Sequence, residues 1–199
     1  MMKQFCHIIR SWWIMLPYFL PITGQIISLG SCPSMPVVKD FNTRAFLGMW
    51  YEQEKYPNLF QFGSKCNTAQ YSLKADGTIS MMNRHESKIT GIESGVRGHG
   101  RQLFPGKMQV RFPQPWKNDA PYYIIGTDYF HYAVIATCSE FGLLKATTVW
   151  ILTRDRHPRN VHMTQAYFDM KHAELSVAFL EKIDQKHCAP TKPPFSNLI

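Results

Sequence analysis

The chain has 199 residues, of which 45% are hydrophobic and 14% aromatic, and its formal net charge is +8. These values are typical of one globular domain with a packed, aromatic-rich core. Its Lys and Arg residues are scattered and no nucleic-acid-binding motif accompanies them, so the charge indicates at most a mild attraction to anionic lipids or acidic ligands.

The first 24 residues have the layout of a secretory signal peptide. Lys3 and Arg10 come first, and an apolar run from Trp12 to Ile22 then leads to small residues. A membrane anchor is the alternative interpretation, but the run is shorter than the ~20 apolar residues that span a bilayer, and prolines interrupt it. The pattern therefore predicts a secreted, extracellular protein.

The domain boundaries follow from this segment. Cleavage after Gly24 or after Gly30 fits a small-residue site, and we favour Gly24. The signal peptide then covers residues 1–24 and the folded domain residues 25–190. The proline-rich segment 191–199 is predicted to be a flexible tail.

The cysteine pattern agrees with secretion. Cys6 leaves with the signal peptide, and Cys32, Cys66, Cys138 and Cys188 remain. An even count in a secreted chain predicts two disulfides, with three possible pairings. None of the four belongs to a C-x-x-C pair or lies near a histidine at zinc-finger spacing, so we predict no metal site.

Short strands separated by turn residues follow one another from Gly48 onward. The predicted strands are Met49–Tyr56, Cys66–Lys74, Thr78–Ser87, a glycine-rich stretch at 91–104, Lys107–Phe112, Tyr122–Thr127, His131–Cys138 and Ala146–Thr153. Eight consecutive strands without a crossover helix predict a sandwich or an up-and-down barrel.

The lengths of the connections favour the barrel. The second, fourth and sixth connections are tight, and the first, fifth and seventh are longer. Alternate turns of a meander lie at the same end. One end is therefore expected to be closed by hairpins, and the other to be rimmed by longer loops, as in a cup.

After the eighth strand, the spacing of the apolar residues becomes that of a helix. Asn160 is a good N-cap, and apolar residues recur after it at helical spacing: Val161, Ala166, Tyr167 and Met170. We predict one helix at about 161–173, packed outside the barrel, and a last short strand near Phe179–Ile183.

Two large side chains predict how the cup is closed. Alternation puts Trp150, Leu152 and Arg154 on one face of the eighth strand, and Arg154 is the last residue of the barrel. Trp50 begins the first strand and belongs at the same end. A guanidinium over the indole would satisfy both by a cation–π contact, and Gly48 would allow the close approach.

Three short motifs of the chain resemble those of a known family. Its motifs have the order and spacing of lipocalin motifs: Gly48, Met49 and Trp50; Thr127, Asp128 and Tyr129; and Arg154. Together with eight strands, a late helix and a signal peptide, they make residues 32–188 similar to a lipocalin. The stretches NTRAFLGMWYEQEKYP, CNTAQYSL and APYYIIGTDYFHYAVIATC look like the apolipoprotein D and Lazarillo branch, with insect bilin-binding proteins more distant.

The resemblance implies an all-β fold, an eight-stranded antiparallel up-and-down lipocalin barrel with one C-terminal α-helix packed outside. It also implies two disulfides, Cys32–Cys138 and Cys66–Cys188. Each would close a long loop and stabilise the fold.

A barrel of eight strands can hold one small ligand. Trp150 shares the inward face of Arg154, and other candidates follow from strand parity or, for Tyr71 and Asn83, from the resemblance. The predicted lining is Trp150, Tyr71, Asn83, Met81, His85, Val110 and Phe112. Plain core packing is the alternative for each, and a lone inward histidine is more often a wall residue. Glu52 and Glu54 share the parity of Trp50, which would place both in the lumen.

Apolar residues gather on three loops at the predicted open end: Leu59, Phe60, Phe62, Trp116, Phe141, Leu143 and Leu144. Such a cluster indicates a docking surface for membranes or lipoprotein particles. The alternative is a lid that folds over the mouth.

These features predict a secreted, mostly monomeric protein that transports a small hydrophobic ligand such as a fatty acid, sterol or retinoid. The alternative is a bilin or haem carrier in which His85, Arg97 or Arg101 holds the pigment. For the two arginines, a solvated strand edge is the favoured interpretation. No cofactor is predicted beyond such a bound lipid or tetrapyrrole. An enzyme is not predicted, because the four remaining cysteines are expected in disulfides and none would serve as a thiolate nucleophile.

Overall fold

A computed structural model describes residues 26–58, 61–113 and 119–190. The strands are β1 (Ile26–Leu29), β2 (Gly48–Lys55), β3 (Ser64–Leu73), β4 (Ile79–Ser87), β5 (Glu93–Phe104), β6 (Lys107–Arg111), β7 (Ala120–Thr127), β8 (Tyr132–Phe141), β9 (Leu144–Thr153) and β10 (Glu181–Lys182). The helices are α1 (Thr43–Phe46), α2 (Asn160–His172) and a 3-10 turn at Val177–Phe179. Within these ranges no helix combines the length and apolar character needed to cross a bilayer. The predicted signal peptide and tail lie outside the described residues.

Eight of the strands close a barrel. Each strand from β2 to β9 pairs antiparallel with the next, and β9 also pairs with β2. This confirms the up-and-down topology predicted from the alternating turns. The short strands β1 and β10 extend the sheet on β9 and β2. β1 was not predicted, because its side chains are mostly exposed and leave no apolar alternation to detect.

Two local predictions were wrong. Phe141 pairs with Leu144, so β8 and β9 are joined by a two-residue turn rather than a longer loop. Gly142 has φ +62°, as the first central residue of such a hairpin requires. The N-cap of α2 is Arg159, and Asn160 is already helical.

Side chains pack on both faces of the barrel wall. Inward residues form one apolar cluster with Trp50, Ile124 and Ile135 among its fully buried members. Outward residues of β8 and β9 form a second cluster with Ala166 and Met170 of α2. The helix therefore lies outside the barrel, as predicted, and explains why β8 is apolar on both faces.

Arg154 closes the end of the barrel at which β2 begins. Its guanidinium lies 3.7 Å from the centroid of the Trp50 ring, which confirms the predicted cation–π contact. It also donates hydrogen bonds of 2.8–3.3 Å to five backbone carbonyls, those of Ala45, Phe46, Leu47, Met49 and Tyr129. The Trp50 indole donates to the Phe46 carbonyl at 2.9 Å. One side chain thus ties α1, β2 and the β7–β8 turn together.

Both disulfides that the resemblance implies are present. Cys32–Cys138 ties the N-terminal arm to β8 across 106 residues of sequence. Cys66–Cys188 ties β3 to the C-terminal segment across 122 residues. The chain segments outside the barrel are therefore fixed to its wall at two points.

Candidate ligand-binding site

The structure brings the seven predicted lining residues to the inner wall. Tyr71, Met81 and Val110 belong to the interior cluster, and Phe112 and Trp150 pack against it. Asn83 pairs with the interior residue Ala69, and His85 follows it on the same face of β4. Their contact with a ligand stays a prediction.

The closed half of the lumen is aromatic. The Phe46 ring lies 5.1 Å from the rings of both Trp50 and Tyr71. The Tyr71 and Tyr122 hydroxyls are 2.6 Å apart and buried. Burial raises the pKa of both phenols, so both stay neutral. Tyr122 was missing from the predicted lining, although its alternation with the buried Ile124 could have revealed it.

Trp150 and Tyr122 continue this wall towards the mouth. Their rings are 6.4 Å apart and inclined by 33°. Aromatic faces of this kind accept flat or flexible apolar ligands through dispersion and area burial. Since Trp150 is only partly buried, a ligand can cover the rest of the indole.

A β-bulge changes which charged residues enter the lumen. Glu52 pairs with Leu152, but the register then shifts, so that Glu54 pairs with Ile151 and Lys55 with Trp150. A bulge adds one residue and reverses the alternation beyond it. The prediction that Glu54 faces the lumen was therefore wrong.

The outward position of Glu54 has a structural role. Its carboxylate accepts a hydrogen bond of 2.9 Å from the Tyr167 hydroxyl of α2. Burial raises the pKa of Tyr167, the Glu54 carboxylate adds to the rise, and the pKa reaches about 12. The bulge thus supplies a polar contact between the barrel and its helix.

Glu52 faces the lumen, as predicted, and has polar partners there. Its side chain is 3% exposed. The Gln61 amide donates to both carboxylate oxygens at 3.0 and 2.8 Å, and the Asn67 amide donates to one at 3.0 Å. Burial raises the pKa of Glu52, and the two amides oppose that rise. Trp150 Nε1 lies 3.5 Å from the side-chain amide oxygen Oε1 of Gln61, which links the network to the aromatic wall.

Lys55 and His85 complete the polar part of the lumen. Lys55 is 2% exposed, and burial lowers its pKa while Glu52 opposes the shift. Burial also lowers the pKa of His85, and Lys55 adds to the effect. Sequence reasoning missed Lys55, because parity counted along an unbroken strand places it outside.

The arginines considered as pigment contacts lie elsewhere. Gly98 and Gly100 are buried and approach Phe112 and Val110 of the inner wall. Arg97 and Arg101 alternate with these glycines and are exposed. Their exposure agrees with the favoured interpretation of this glycine-rich strand as a solvated edge.

The open end exposes apolar side chains, as predicted. Phe62 is 89% and Leu143 83% exposed, and Phe141 and Leu144 are also exposed. Ile89, in the β4–β5 turn, is a further exposed residue at this end. The rim residues Leu59, Phe60 and Trp116 lie outside the described residues.

Three possible metal ligands meet outside the closed end. Atoms of Asp128, His131 and His162 lie within 4.8 Å of one another. His131 Nδ1 is 2.7 Å from the Asp128 carboxylate, and the two imidazoles stack at 4.2 Å. The Arg159 guanidinium lies 3.2–3.3 Å from His162 Nε2, where its charge opposes a cation. The predicted absence of a metal site stays a prediction.

The barrel, the Arg154 closure and the luminal wall are features of one family. A family model for a lipocalin-like domain matches residues 41–185. This chain belongs to the lipocalin family. Apolipoprotein D of Mus musculus is 34% identical over 174 residues, which cover 85% of this lipocalin and 90% of that protein. The Lazarillo protein of Schistocerca americana is 27% identical over 166 residues, which cover 79% and 77%.

Solved structures share the fold. Insecticyanin of the tobacco hornworm Manduca sexta has a TM-score of 0.70 at 24% identity, over 81% of this lipocalin and 89% of that chain. Lobster apocrustacyanin A1 has a TM-score of 0.69 at 19% identity, over 80% and 91%. At these identities the likeness shows the fold alone.

Proposed function

We propose that this lipocalin binds one small hydrophobic molecule in its barrel and transports it outside the cell. The observation that carries the proposal is the aromatic interior formed by Tyr71, Tyr122 and Trp150. Its hydroxyl groups bond to each other, and the ionisable side chains Glu52, Lys55 and His85 lie towards the mouth. An interior lined in this way suits an apolar body with one polar end. Similarity to apolipoprotein D supports this function.

Two further features support secretion and transport. Disulfides persist in oxidising compartments, which agrees with the signal-peptide layout of residues 1–24. The same two bonds occupy Cys32, Cys66, Cys138 and Cys188, so none of these four is a thiolate nucleophile. The protein is therefore proposed to carry its ligand without transforming it.

The binding function is tested with the purified protein. We expect palmitic acid, retinol or cholesterol to quench the Trp150 fluorescence in a saturable titration, because a ligand in the lumen covers the exposed part of the indole. In Trp150→Phe the quenching should largely disappear, while native mass spectrometry still shows one bound molecule. Absence of both quenching and a bound mass for all three probes would contradict the proposal.

A tetrapyrrole carrier is the second candidate function. The half-buried His85 beside Lys55 favours it, because these side chains could bind the propionate groups of a pigment. Protein purified from its natural source would then be coloured, with a visible absorbance band that unfolding shifts. A colourless preparation that contains an extracted lipid would reject this candidate and support the first.

We also propose that the open end docks on lipid membranes to exchange the ligand. The exposed rim residues Phe62, Ile89 and Leu143 support this, since an apolar loop tip gains free energy by entering the lipid interface. Replacing all three with serine is expected to reduce co-flotation with phosphatidylcholine and phosphatidylserine vesicles about tenfold.

A matched control lies at the opposite end of the barrel. Phe130, in the β7–β8 turn, is 75% exposed, and Phe130→Ser should leave co-flotation unchanged. Equal loss of flotation in this control would indicate general stickiness rather than docking by the open end. Full flotation of the rim variant would reject the membrane proposal and favour a lid role.

A further inference from the structure

We propose that the outer wall of the barrel has a second binding site, which takes a phosphate group between Arg84 and Arg156. The site lies outside the lumen, so the inference goes beyond the proposed carrier function and does not depend on it. Three observations carry it: a pocket on the outer wall, the row of residues beneath this pocket, and the unused donors of its two arginines.

The first observation is the pocket itself. Both arginines line it, together with Thr68 of β3 and with Ala189 and Pro190 of the C-terminal segment. The Cys66–Cys188 disulfide fixes this segment to β3, so the wall that the segment provides is held in place. The pocket is therefore a built part of the fold rather than a gap between loose loops.

The second observation is the row of residues beneath the pocket. Arg84 lies on the outer face of β4, because the preceding residue pairs with an interior residue of β3. Thr68 pairs with Arg84 on one side and with Tyr51 on the other. The Arg156 guanidinium lies 4.5 Å from the centroid of the Tyr51 ring. Since neighbouring strands are about 4.8 Å apart, the two arginines flank the short Thr68 side chain and leave a gap that a phosphate group can enter.

The third observation is that both guanidiniums have donors to spare. The Arg84 side chain is 11% exposed, and its Nε has no hydrogen-bond partner among the described residues. The carboxylate of Glu93 is 3.8 Å from this nitrogen, which is beyond hydrogen-bonding distance. Arg156 donates from Nη1 to Gln185 at 2.9 Å, its one hydrogen bond among the described contacts. A buried donor without a partner is costly, and an oxygen of an anionic ligand would remove that cost.

Two guanidiniums favour phosphate over carboxylate as the bound group. A carboxylate has two oxygens, which one planar guanidinium satisfies with two parallel hydrogen bonds. A phosphate group has further oxygens and can accept from Arg84 and Arg156 at the same time. The arrangement therefore indicates a phosphate group as the chemistry that the site recognises.

Two carboxylates at the edge of the pocket indicate where a positive group of the ligand would lie. Glu86 and Glu93 line the pocket and are directly opposite each other on β4 and β5. Like charges in this position destabilise a sheet, and Lys65, 3.1 Å from Glu86, compensates one of them. The phosphate can come from the free anion or from a zwitterionic lipid headgroup. The carboxylates favour the headgroup, because its ammonium would lie beside Glu93.

The test is isothermal titration calorimetry in a phosphate-free buffer with phosphocholine, inorganic phosphate and choline as probes. We expect one phosphocholine to bind, and choline to bind at least about tenfold more weakly, because it lacks the phosphate group. Arg84→Met and Arg156→Met should each weaken phosphocholine about tenfold. Quenching of Trp150 by retinol should stay unchanged in both variants, since neither arginine faces the lumen.

Arg101 provides the matched control. It is also exposed on the outer face of the barrel, but its guanidinium donates to Gln109 at 3.1 Å, away from the pocket. Arg101→Met removes the same charge and should leave phosphocholine binding unchanged. Near-ultraviolet circular dichroism verifies folding, and the two variants from opposite sides of the site serve as replacements for each other.

The outcomes separate the two sources of phosphate and the two binding sites. Tighter binding of phosphocholine than of inorganic phosphate would assign the headgroup, and Glu93→Gln should then weaken phosphocholine alone by about threefold. Tighter binding of inorganic phosphate would assign the free anion. Absence of binding by both probes, unchanged affinity in both pocket variants, or an equal loss in Arg101→Met would overturn the site. Failure of retinol to bind would contradict the carrier function and leave the outer site standing.

Discussion

Replacing Arg154 with alanine is expected to lower the free energy of unfolding by about 2–4 kcal/mol. The guanidinium serves five backbone carbonyls and covers the Trp50 ring at 3.7 Å. Hydrogen bonds from a charged donor are stronger than neutral ones, and carbonyls left without a donor inside the closed end carry a desolvation cost. Urea denaturation with the disulfides intact measures the loss.

Two further variants show whether the shape of the guanidinium matters. Arg154→Lys keeps the charge but cannot reach several carbonyls from one planar group, so most of the stability loss should remain. Arg156→Ala is the matched control. Arg156 also lies over an aromatic ring, that of Tyr51 at 4.5 Å, but has only one hydrogen bond among the described contacts, to Gln185. A loss in Arg156→Ala equal to that in Arg154→Ala would contradict a special role for the closed end.

Removing the Cys32–Cys138 disulfide is expected to cost about 3–5 kcal/mol. The two cysteines are 106 residues apart, so the bond excludes many extended conformations of the unfolded chain. The variant with both Cys32→Ala and Cys138→Ala leaves no unpaired thiol to exchange with the other disulfide. Its unfolding midpoint in urea, compared with that of the wild type, gives the change.

The second disulfide provides an internal comparison. Cys66–Cys188 spans 122 residues, and loop-closure entropy depends only weakly on length, so its removal should cost nearly the same. A variant that lacks both bonds should therefore be close to unfolded, as the fully reduced protein is expected to be. A loss below about 1 kcal/mol for either pair would show that native contacts alone hold those segments.

Much of the barrel could be predicted because strand signals are local. Apolar alternation and turn residues define the eight strands, and short connections between consecutive strands predict their up-and-down order. The expected alternation of tight and longer connections fails at the two-residue β8–β9 turn. The pairing of Trp50 with Arg154 followed from their position at one end. The disulfide pairing, in contrast, came from family resemblance, since spacing alone leaves three possibilities.

The charged part of the site could not be predicted, because its positions depend on neighbouring strands. Nothing in GMWYEQEK marks a bulge, which arises where β2 must keep register with β9 beyond Glu52. Parity counting therefore placed Glu54 inside, which the structure corrects, and it left Lys55 out of the predicted luminal residues. Arg97 and Arg101 lie on the exposed face of β5, as the favoured interpretation of a solvated edge expected, because the inward residues beside them are glycines.

The sequence by itself determined the class of fold, the closed end and the apolar wall. Side-chain period, turn chemistry and the family motifs act over a few residues and can be read along the chain. Only the tertiary structure decided that Lys55 is buried on the inner face of β2 and that Asn67 Oδ1 has no hydrogen-bond partner among the described residues. A one-residue shift between two paired strands reverses every later side chain, and that shift is a property of the pair rather than of either strand.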